Sequence, residues 1–380
     1  MQSKISVLQV IPQLDVSGAS QGCIDIANYL LENHHDSYVV THSGSGIKKI
    51  NNHERNVIQV PVQSKNPLKI FLNIFKISKL IRKLKIDVLH VRSRAPAWSA
   101  FFASKLTGVK FVTTFHGTYN FNNYLKKFYN SIMLRTDGTI AISNFINSEI
   151  SEKYLQNQTF VQVISRGVNL DFFDPQIINK NDVNKIYKDY HIDNSSIKIL
   201  LPGRLTGWKG HMFLLKAIKY IFEKGIYNIE IIFVGPDNNQ KLKDDLIDFA
   251  KRSNFIDKLH FTGSTNEINK FYAASDIVVS ASTDPEAFGR ISVESQAMGK
   301  FIIASNHGGS KETILEDITG YLYDPKDFKD LSNKILKAIQ KQKYKSNDVY
   351  DQCLKNVKEN FTKQKMCFET IEFYKKILSK

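Results

Sequence analysis

Residues 197–211 read IKILLPGRLTGWKGH, which joins an apolar run, a glycine-marked turn and the beginning of a helical pattern. The run Ile197–Leu201 is typical of a buried strand, and the helical pattern starts at His211. The turn between them carries two cations, Arg204 and Lys209. Open α/β folds bind ligands at the carboxyl ends of their parallel strands, so we expect both cations in a ligand site.

The same alternation of short apolar strands and longer helical patterns runs through almost the whole chain. In the first half the predicted strands are Ile5–Ile11, Tyr38–Thr41, Asp87–Val91, Phe111–Phe115, Gly138–Ile142 and Phe160–Ile164. In the second half they are Ile197–Leu201, Glu230–Val234, Leu259–Phe261, Asp276–Ser280 and Phe301–Ala304. Apolar strands joined by helices indicate parallel sheets covered on both faces. The two series predict an α/β protein with two doubly wound, Rossmann-like domains.

The domain boundary is predicted at Gly167–Pro175, where the strand pattern ends. We therefore assign residues 1–170 to an N-terminal domain and residues 171–361 to a C-terminal domain. The chain finishes in the helical patterns Phe328–Gln340, Tyr350–Asn360 and Met366–Leu378.

Composition excludes several classes of protein. The chain has 380 residues and 52 Lys and Arg against 37 Asp and Glu, a net charge of +15. Only 9 of the basic residues are Arg, the preferred side chain for reading bases, which argues against sequence-specific nucleic-acid binding. Its 3 cysteines form no C-x-x-C pair, and no apolar run approaches the roughly 20 residues that span a bilayer. We expect a soluble, cytoplasmic protein.

Common catalytic motifs are missing from the sequence. It contains no G-x-G-x-x-G, G-K-[ST], G-x-S-x-G or H-E-x-x-H motif, and no D-x-D pair. Without that pair, a carboxylate-bound metal is a less favourable way to hold phosphates. We expect no metal site and no cofactor, with any phosphate held by basic side chains and helix N-termini.

A second group of candidate residues follows the predicted strand Asp276–Ser280, in residues 284–290, which read DPEAFGR. Gly289 permits close backbone approach, and the helix predicted to begin there has free N–H groups that suit a diphosphate. Glu294 lies eight residues after Glu286, so both carboxylates can face one crevice. Carboxylates accept hydrogen bonds from sugar or ribose hydroxyls.

Together these residues resemble the retaining glycosyltransferases of family 4, which have the GT-B fold. The resemblance rests on Gly203-Arg204, Lys209-Gly210, the pair Glu286 and Glu294 with Phe288-Gly289 between them, Gly308-Gly309 with Glu312, Gly18-Ala19 and His116-Gly117. It covers essentially the whole chain. It implies two domains facing across a cleft, with the C-terminal helix, about residues 362–380, packing back on the first domain.

The resemblance also implies a role for each residue. Arg204 and Lys209 would hold the donor diphosphate and stabilise it as it leaves, and Glu294 would bind the ribose. Glu286, with the backbone around Ala287, Phe288 and Gly289, would hold the donor sugar, which His116 would contact from the other domain. Further implied positions are Gly18 near phosphate or acceptor, Gly203 beside Arg204, Gly263 near the base, and Arg290, either a third cation or a solvated residue. The ordinary alternatives are surface charges and, for His116, a structural histidine.

Two phrases, residues 90–94 (HVRSR) and 113–119 (TTFHGTY), look closest to bacterial enzymes that assemble the lipopolysaccharide core. We predict a metal-independent hexosyltransferase that moves mannose, glucose or N-acetylglucosamine from a GDP- or UDP-linked sugar to a lipopolysaccharide or other surface-glycan acceptor. For His90, Arg92 and Arg94, acceptor recognition and a solvated loop both stay open. The alternative functions are a nucleotide-sugar epimerase of the same fold and a basic nucleic-acid-binding protein.

The first half also holds an acid-free stretch, from Arg55 to Ile86, with eight basic residues. Within it, Leu68–Lys85 has a basic amphipathic pattern, and Tyr124–Arg135 is a second such segment. Each segment is either an ordinary helix with one buried stripe or a surface that contacts an anionic membrane. The second interpretation predicts peripheral contact with the inner face of the cytoplasmic membrane.

Overall fold

The computed structural model describes residues 4–15, 17–119, 123–154 and 159–380. The chain divides into two compact units, residues 1–167 with 363–380 (unit 1) and residues 168–362 (unit 2). Each unit is built around a parallel sheet.

The sheet of unit 1 has seven strands in its described residues, in the order β3-β2-β1-β4-β5-β6-β7. The strands are β1 (Ser6–Val10), β2 (Asp36–Thr41), β3 (Val57–Gln59), β4 (Val88–Val91), β5 (Lys110–Phe115), β6 (Gly138–Ala141) and β7 (Val161–Val163). The helices that connect them are α1 (Gly18–Glu32), α2 (His53–Asn56), α3 (Pro67–Leu84), α4 (Arg94–Thr107), α5 (Tyr124–Ser131) and α6 (Asn144–Lys153). A strand order that reverses at β1 places a switch point between β1 and β4.

Local chemistry fixes where these helices begin. The Ser17 hydroxyl accepts a hydrogen bond from the Ser20 amide at the start of α1. Asn66 caps α3 in the same way, and Pro67 occupies its first turn, where the missing amide hydrogen costs nothing.

Unit 2 has six parallel strands, in the order β10-β9-β8-β11-β12-β13. They are β8 (Ile197–Pro202), β9 (Ile229–Val234), β10 (Leu259–Phe261), β11 (Ile277–Ser280), β12 (Phe301–Ser305) and β13 (Gly320–Tyr323). The helices are α7 (Lys180–Asp189), α8 (His211–Glu223), α9 (Gln240–Arg252), α10 (Ile268–Ala273), α11 (Arg290–Ala297), α12 (Phe328–Gln340) and α13 (Asn347–Asn360). Here the switch point lies between β8 and β11.

The chain then returns to unit 1 through α14 (Lys363–Leu378). This helix buries Met366, Ile371, Phe373 and Ile377 in a core shared with β1 and α1. Burial of these four apolar side chains holds α14 against unit 1, although the rest of unit 1 is distant from it in the sequence.

The predicted fold class is confirmed: the protein has two parallel-sheet, Rossmann-like domains. Every predicted strand is present, but β3 and β13 were missed. Val57–Gln59 has only three residues, and Gly320–Tyr323 begins with a glycine, so neither shows a usable periodicity. In the described ranges, no helix is both long and apolar enough to cross a membrane.

Candidate active site

The switch point of unit 2 gathers the turn after β8 and the loop after β11. The turn ends at Lys209 and Gly210, and Gly210 has a φ of +75°. A Cβ atom there would lie 1.7 Å from the Ala281 carbonyl oxygen, so the turn packs directly on the backbone that follows β11. Only glycine allows this approach, which brings Lys209 to the neighbouring loop.

Lys209 and Glu286 form an ion pair across this switch point. Lys209 Nζ donates to Glu286 Oε1 at 2.6 Å, and both side chains are 15% exposed. The Ser282 hydroxyl donates to the same oxygen at 2.6 Å. The Lys209 ammonium also lies 4.4 Å from the centre of the Trp208 ring. Two charges with little solvent access are therefore held in fixed positions.

The loop that carries Glu286 is clamped against the segment after β12. The Gly309 amide donates to the Glu286 carbonyl at 2.7 Å. Gly289, at a φ of +95°, is so close to Ser310 that a Cβ would lie 2.7 Å from its Cα. Gly289 also precedes α11 and has no side chain with which to cap its first amides. The loop therefore presents backbone N–H groups at a helix N-terminus.

Glu294 is held by two side chains. Arg290 Nη2 donates to Glu294 Oε1 at 2.6 Å, and the Tyr272 hydroxyl donates to Oε2 at 2.9 Å. Burial, with the Glu294 charge beside it, raises the pKa of Tyr272 well above its usual value, so this hydroxyl keeps its proton. Arg290 thus pairs with the second glutamate of the motif.

The other predicted residues of unit 2 line the same carboxyl edge. Arg204 is exposed and follows Gly203, which has a φ of +151°. Phe288 is buried against the Phe361 ring at 5.8 Å. Gly263 follows β10, and its carbonyl accepts a hydrogen bond from the Gly235 amide at 2.9 Å. Ala287 lies in the clamped loop.

Unit 1 presents a different set of groups at its own switch point. Arg92 follows β4, and its Nε and Nη2 both donate to the Gln9 amide oxygen on β1, at 2.9 and 2.6 Å. Arg92 is 3% exposed. Beside it, His90 lies within 2.5 Å of the Tyr374 hydroxyl and 2.7 Å of the Thr114 hydroxyl. The solvated-loop interpretation of His90 and Arg92 is therefore wrong.

His116 lies after β5 on the same edge. Its Nε2 is buried and has no hydrogen-bond partner among the described residues. Burial, and then the charges of Arg166 and Arg92, hold the pKa of His116 well below its usual value. The imidazole is therefore neutral at pH 7, and no described residue satisfies its buried Nε2. Gly18 opens α1 there, and its carbonyl accepts a bond from Arg166 Nη2.

Sequence reasoning missed five residues that contact these groups: Gln9, Arg166, Tyr272, Ser282 and Tyr374. Ser282 could have been found, because it follows β11 at the edge where ligands bind. Tyr272 lies on α10, 22 residues before Glu294, and no local spacing links the two.

Two family models together match most of the chain. The model described as Glycosyltransferase Family 4 matches residues 16–172, and the model described as Glycosyl transferases group 1 matches residues 182–359. A solved glycosyltransferase from Rickettsia africae ESF-5 is 35% identical, with 99% of both chains covered and a TM-score of 0.90. The chain belongs to the GT-B glycosyltransferases of family 4. The predicted resemblance is confirmed.

Two further proteins that resemble this glycosyltransferase are named with different sugars. It is 25% identical to the Escherichia coli UDP-Gal:alpha-D-GlcNAc-diphosphoundecaprenol alpha-1,3-galactosyltransferase, over 71% of each chain. Anabaena HepE, solved in complex with UDP-glucose, is 19% identical, covers 98% of this chain and 100% of its own, and has a TM-score of 0.83. The latter likeness concerns the fold alone.

Within the part of the chain that the structure describes, no three His, Cys, Asp or Glu residues come close enough together to hold a metal ion.

Proposed function

We propose that this glycosyltransferase moves a hexose from a nucleoside-diphosphate sugar to a glycan or glycolipid acceptor of the bacterial surface, with retention of anomeric configuration. The observation that carries the proposal is the Lys209–Glu286 pair across the switch point of unit 2. A cation and a carboxylate held side by side suit a ligand that has both a diphosphate and a hydroxyl-rich sugar.

On the donor side, Lys209, exposed Arg204 and the first amides of α11 would bind the diphosphate. Negative charge builds on the bridging oxygen as the nucleoside diphosphate leaves, and donors fixed in advance stabilise it. One such donor lowers the activation barrier by about 3 kcal/mol. In this scheme the cations, rather than a metal ion, neutralise the leaving group.

Glu294 would accept hydrogen bonds from the ribose hydroxyls. Each of its oxygens already accepts one bond, from Arg290 or Tyr272, but a carboxylate offers about four lone-pair sites. The two existing hydrogen bonds would therefore orient the carboxylate and still leave lone pairs for the ribose hydroxyls. Glu286, fixed by Ser282, would hold the donor sugar in the same way.

A relative supports a UDP-linked donor. The Escherichia coli enzyme, 25% identical to this chain, is named for UDP-Gal. The E. coli acceptor, by its name, is a sugar on a diphosphoundecaprenol lipid, which supports a lipid-linked glycan acceptor here. His116 would contact the donor sugar near the reacting carbon. The leaving phosphate would take the proton of the acceptor hydroxyl, as the family resemblance implies.

The test starts from donor binding. Thermal shifts with UDP, UDP-glucose, UDP-N-acetylglucosamine and GDP-mannose identify the nucleotide, and labelled donor then reports transfer to a bacterial glycolipid extract. Lys209→Ala and Glu286→Ala are expected to lower transfer by roughly 100- to 1000-fold. Lys216→Ala, an exposed lysine on α8, is the matched control and should keep full activity. Substantial transfer by either folded site variant would remove this site assignment.

Two further measurements separate the alternatives. NMR of the product anomer must show retention, and an inverted linkage would exclude the proposed mechanism. Incubation of the donor without acceptor tests the nucleotide-sugar epimerase, because only that enzyme would convert donor alone to its epimer.

A further inference from the structure

Exposed apolar side chains concentrate on three helices of unit 1. Of fifteen large, exposed apolar residues in the described ranges, nine lie on α3, on α4 and on α5. They are Leu68, Phe71, Leu72, Phe75, Phe102, Leu106, Tyr124, Leu125 and Phe128, and we call them the α3–α5 face. Leu68 is 67% and Leu125 is 76% exposed. Such a concentration is typical of an interaction surface.

The three helices form one continuous surface. The Ser99 hydroxyl of α4 donates to the Ile70 carbonyl of α3, and Arg82 Nη2 donates to the Leu106 carbonyl. On the other side of α4, the Trp98 ring lies 5.6 Å from the Phe128 ring of α5. Right-handed crossovers from β3 to β4 and from β4 to β5 put α3 and α4 on the same side of the sheet.

The exposed side of α3 changes character along its length. Its first two turns expose the apolar residues Leu68, Phe71, Leu72 and Phe75. At the same helical spacing, the last turns expose the cations Lys79, Arg82 and Lys83. Phe75 and these cations, with Leu106 of α4, line a groove of about 570 Å³.

The charge of the α3–α5 face indicates which kind of partner can bind to it. Residues 55–136 contain fifteen basic side chains and one acid, Asp87. The Asp87 carboxylate accepts a hydrogen bond from the Ser6 amide at 2.8 Å. A second copy docked by two-fold symmetry would bring this cationic face against itself, which is unfavourable. An anionic surface that also accepts apolar side chains fits both properties.

We propose that the α3–α5 face docks on an anionic lipid bilayer. Phe71, Leu72 and their apolar neighbours enter the boundary between headgroups and acyl chains, and the lysines of α3 and α5 meet the anionic headgroups. A nucleic acid would bind the same cations, but the exposed leucine side chains would not strengthen its binding.

Vesicle binding tests the proposal without any donor or acceptor. Sedimentation of the full chain with phosphatidylglycerol–phosphatidylcholine vesicles should show binding that weakens with added salt and is much weaker on pure phosphatidylcholine. The variant F71S/L72S should bind about tenfold more weakly. The variant K76Q/K79Q/K83Q should bind roughly 100-fold more weakly. Since all five side chains are exposed, the variants should fold, which unchanged thermal unfolding confirms.

Matched controls come from unit 2. L315S/I318S removes two comparably exposed apolar residues, and K216Q/K241Q/K251Q removes three exposed lysines. Both should bind vesicles like the wild type. Equal binding to neutral vesicles, or wild-type binding by the α3 variants, would overturn the proposal. A vesicle-free dimer that F71S/L72S dissociates would assign the face to a second copy instead. RNA binding lost in the lysine variant while vesicle binding persists would equally overturn it.

Discussion

At the switch point of each unit, a cation contacts a side chain across the gap between two central strands, but the partner is charged in unit 2 and neutral in unit 1. In unit 2, Lys209 meets a carboxylate, Glu286, across the gap between β8 and β11. In unit 1, Arg92 meets a neutral amide, Gln9, across the gap between β1 and β4. A pair that balances its own charge holds its geometry before a ligand arrives. A buried cation with a neutral partner retains a field that favours negative charge.

This difference supports the proposal that unit 2 binds the nucleotide sugar. The donor brings a diphosphate and many hydroxyls, and unit 2 offers fixed cations and fixed carboxylates. Unit 1 gathers buried His90 and Arg92 with His116, and its cation has a neutral partner. The four following predictions test that contrast.

The largest expected effect concerns how glycines pack at the two edges. Gly210→Ala forces a Cβ against the Ala281 carbonyl at a positive φ, and should destabilise the protein by about 4 kcal/mol. Gly22→Ala in α1 places a Cβ 1.3 Å from Arg166 Nη2, the end of a flexible side chain, which must move and give up its bond to the Gly18 carbonyl. It should cost about 2 kcal/mol, less than Gly210→Ala. Urea unfolding measures both, and equal losses would show that the two edges are packed alike.

The second prediction concerns acid. Burial lowers the pKa of His211 in unit 2 to about 4, and that of His90 and His116 in unit 1 well below 6.5. The unfolded chain binds these protons first, so stability is complete above pH 6.5 and falls as pH decreases towards 4. His211 alone accounts for up to about 3 kcal/mol. Unit 1 holds three histidines with a lowered pKa, His35, His90 and His116, against His211 and His307 in unit 2, so unit 1 should open first.

Hydrogen exchange at pH 7, 6 and 5 resolves the two units separately. His211→Phe should flatten the pH dependence of unit 2 and leave that of unit 1 unchanged. Protection that rises on acidification would contradict the prediction.

The third prediction compares the two pairs directly by double-mutant cycles in urea. Lys209→Met with Glu286→Gln should give a coupling energy of about 2 kcal/mol, because two partly desolvated charges interact. Arg92→Met with Gln9→Leu should give about 1 kcal/mol, since one partner is neutral. Indistinguishable couplings would remove the electrostatic contrast between the units.

The smallest effect is expected at Glu294. Tyr272→Phe removes the hydroxyl that orients this carboxylate and should weaken UDP binding by about fivefold, roughly 1 kcal/mol, in calorimetry. Tyr227→Phe, which alters an exposed hydroxyl of the same unit, should change nothing. Unchanged UDP affinity in Tyr272→Phe would mean that Glu294 needs no positioning by Tyr272.

Much of the fold could be predicted because its signals are local. The eleven predicted strands are rich in apolar residues, and the turn at Gly203 and Gly210 needs only its own residues to be recognised. Lys209 and Glu286 were singled out from the positions that follow strands. Strand β3, with Gln59 among its three residues, and strand β13, which begins with Gly320, were not predicted.

Pairing across the sheet could not be predicted in the same way. Arg92 and Gln9 are 83 residues apart, and Lys209 and Glu286 are 77 apart. The four-residue spacing of Arg290 and Glu294 on α11 is compatible with their ion pair, but no spacing says that Tyr272 reaches the same carboxylate. These contacts depend on which strands become neighbours and on which helices cover them.

The sequence by itself determined the alternation of strands and helices, the glycine turns, and the cations placed after strands, because each depends on a few adjacent residues. The tertiary structure decided which of those cations meets a carboxylate and which stays buried beside a neutral amide. It also decided that the apolar residues of α3 face outward, since α4 and the sheet take up its other side. Burial and desolvation are properties of the assembled neighbours, and they set the chemistry of both edges.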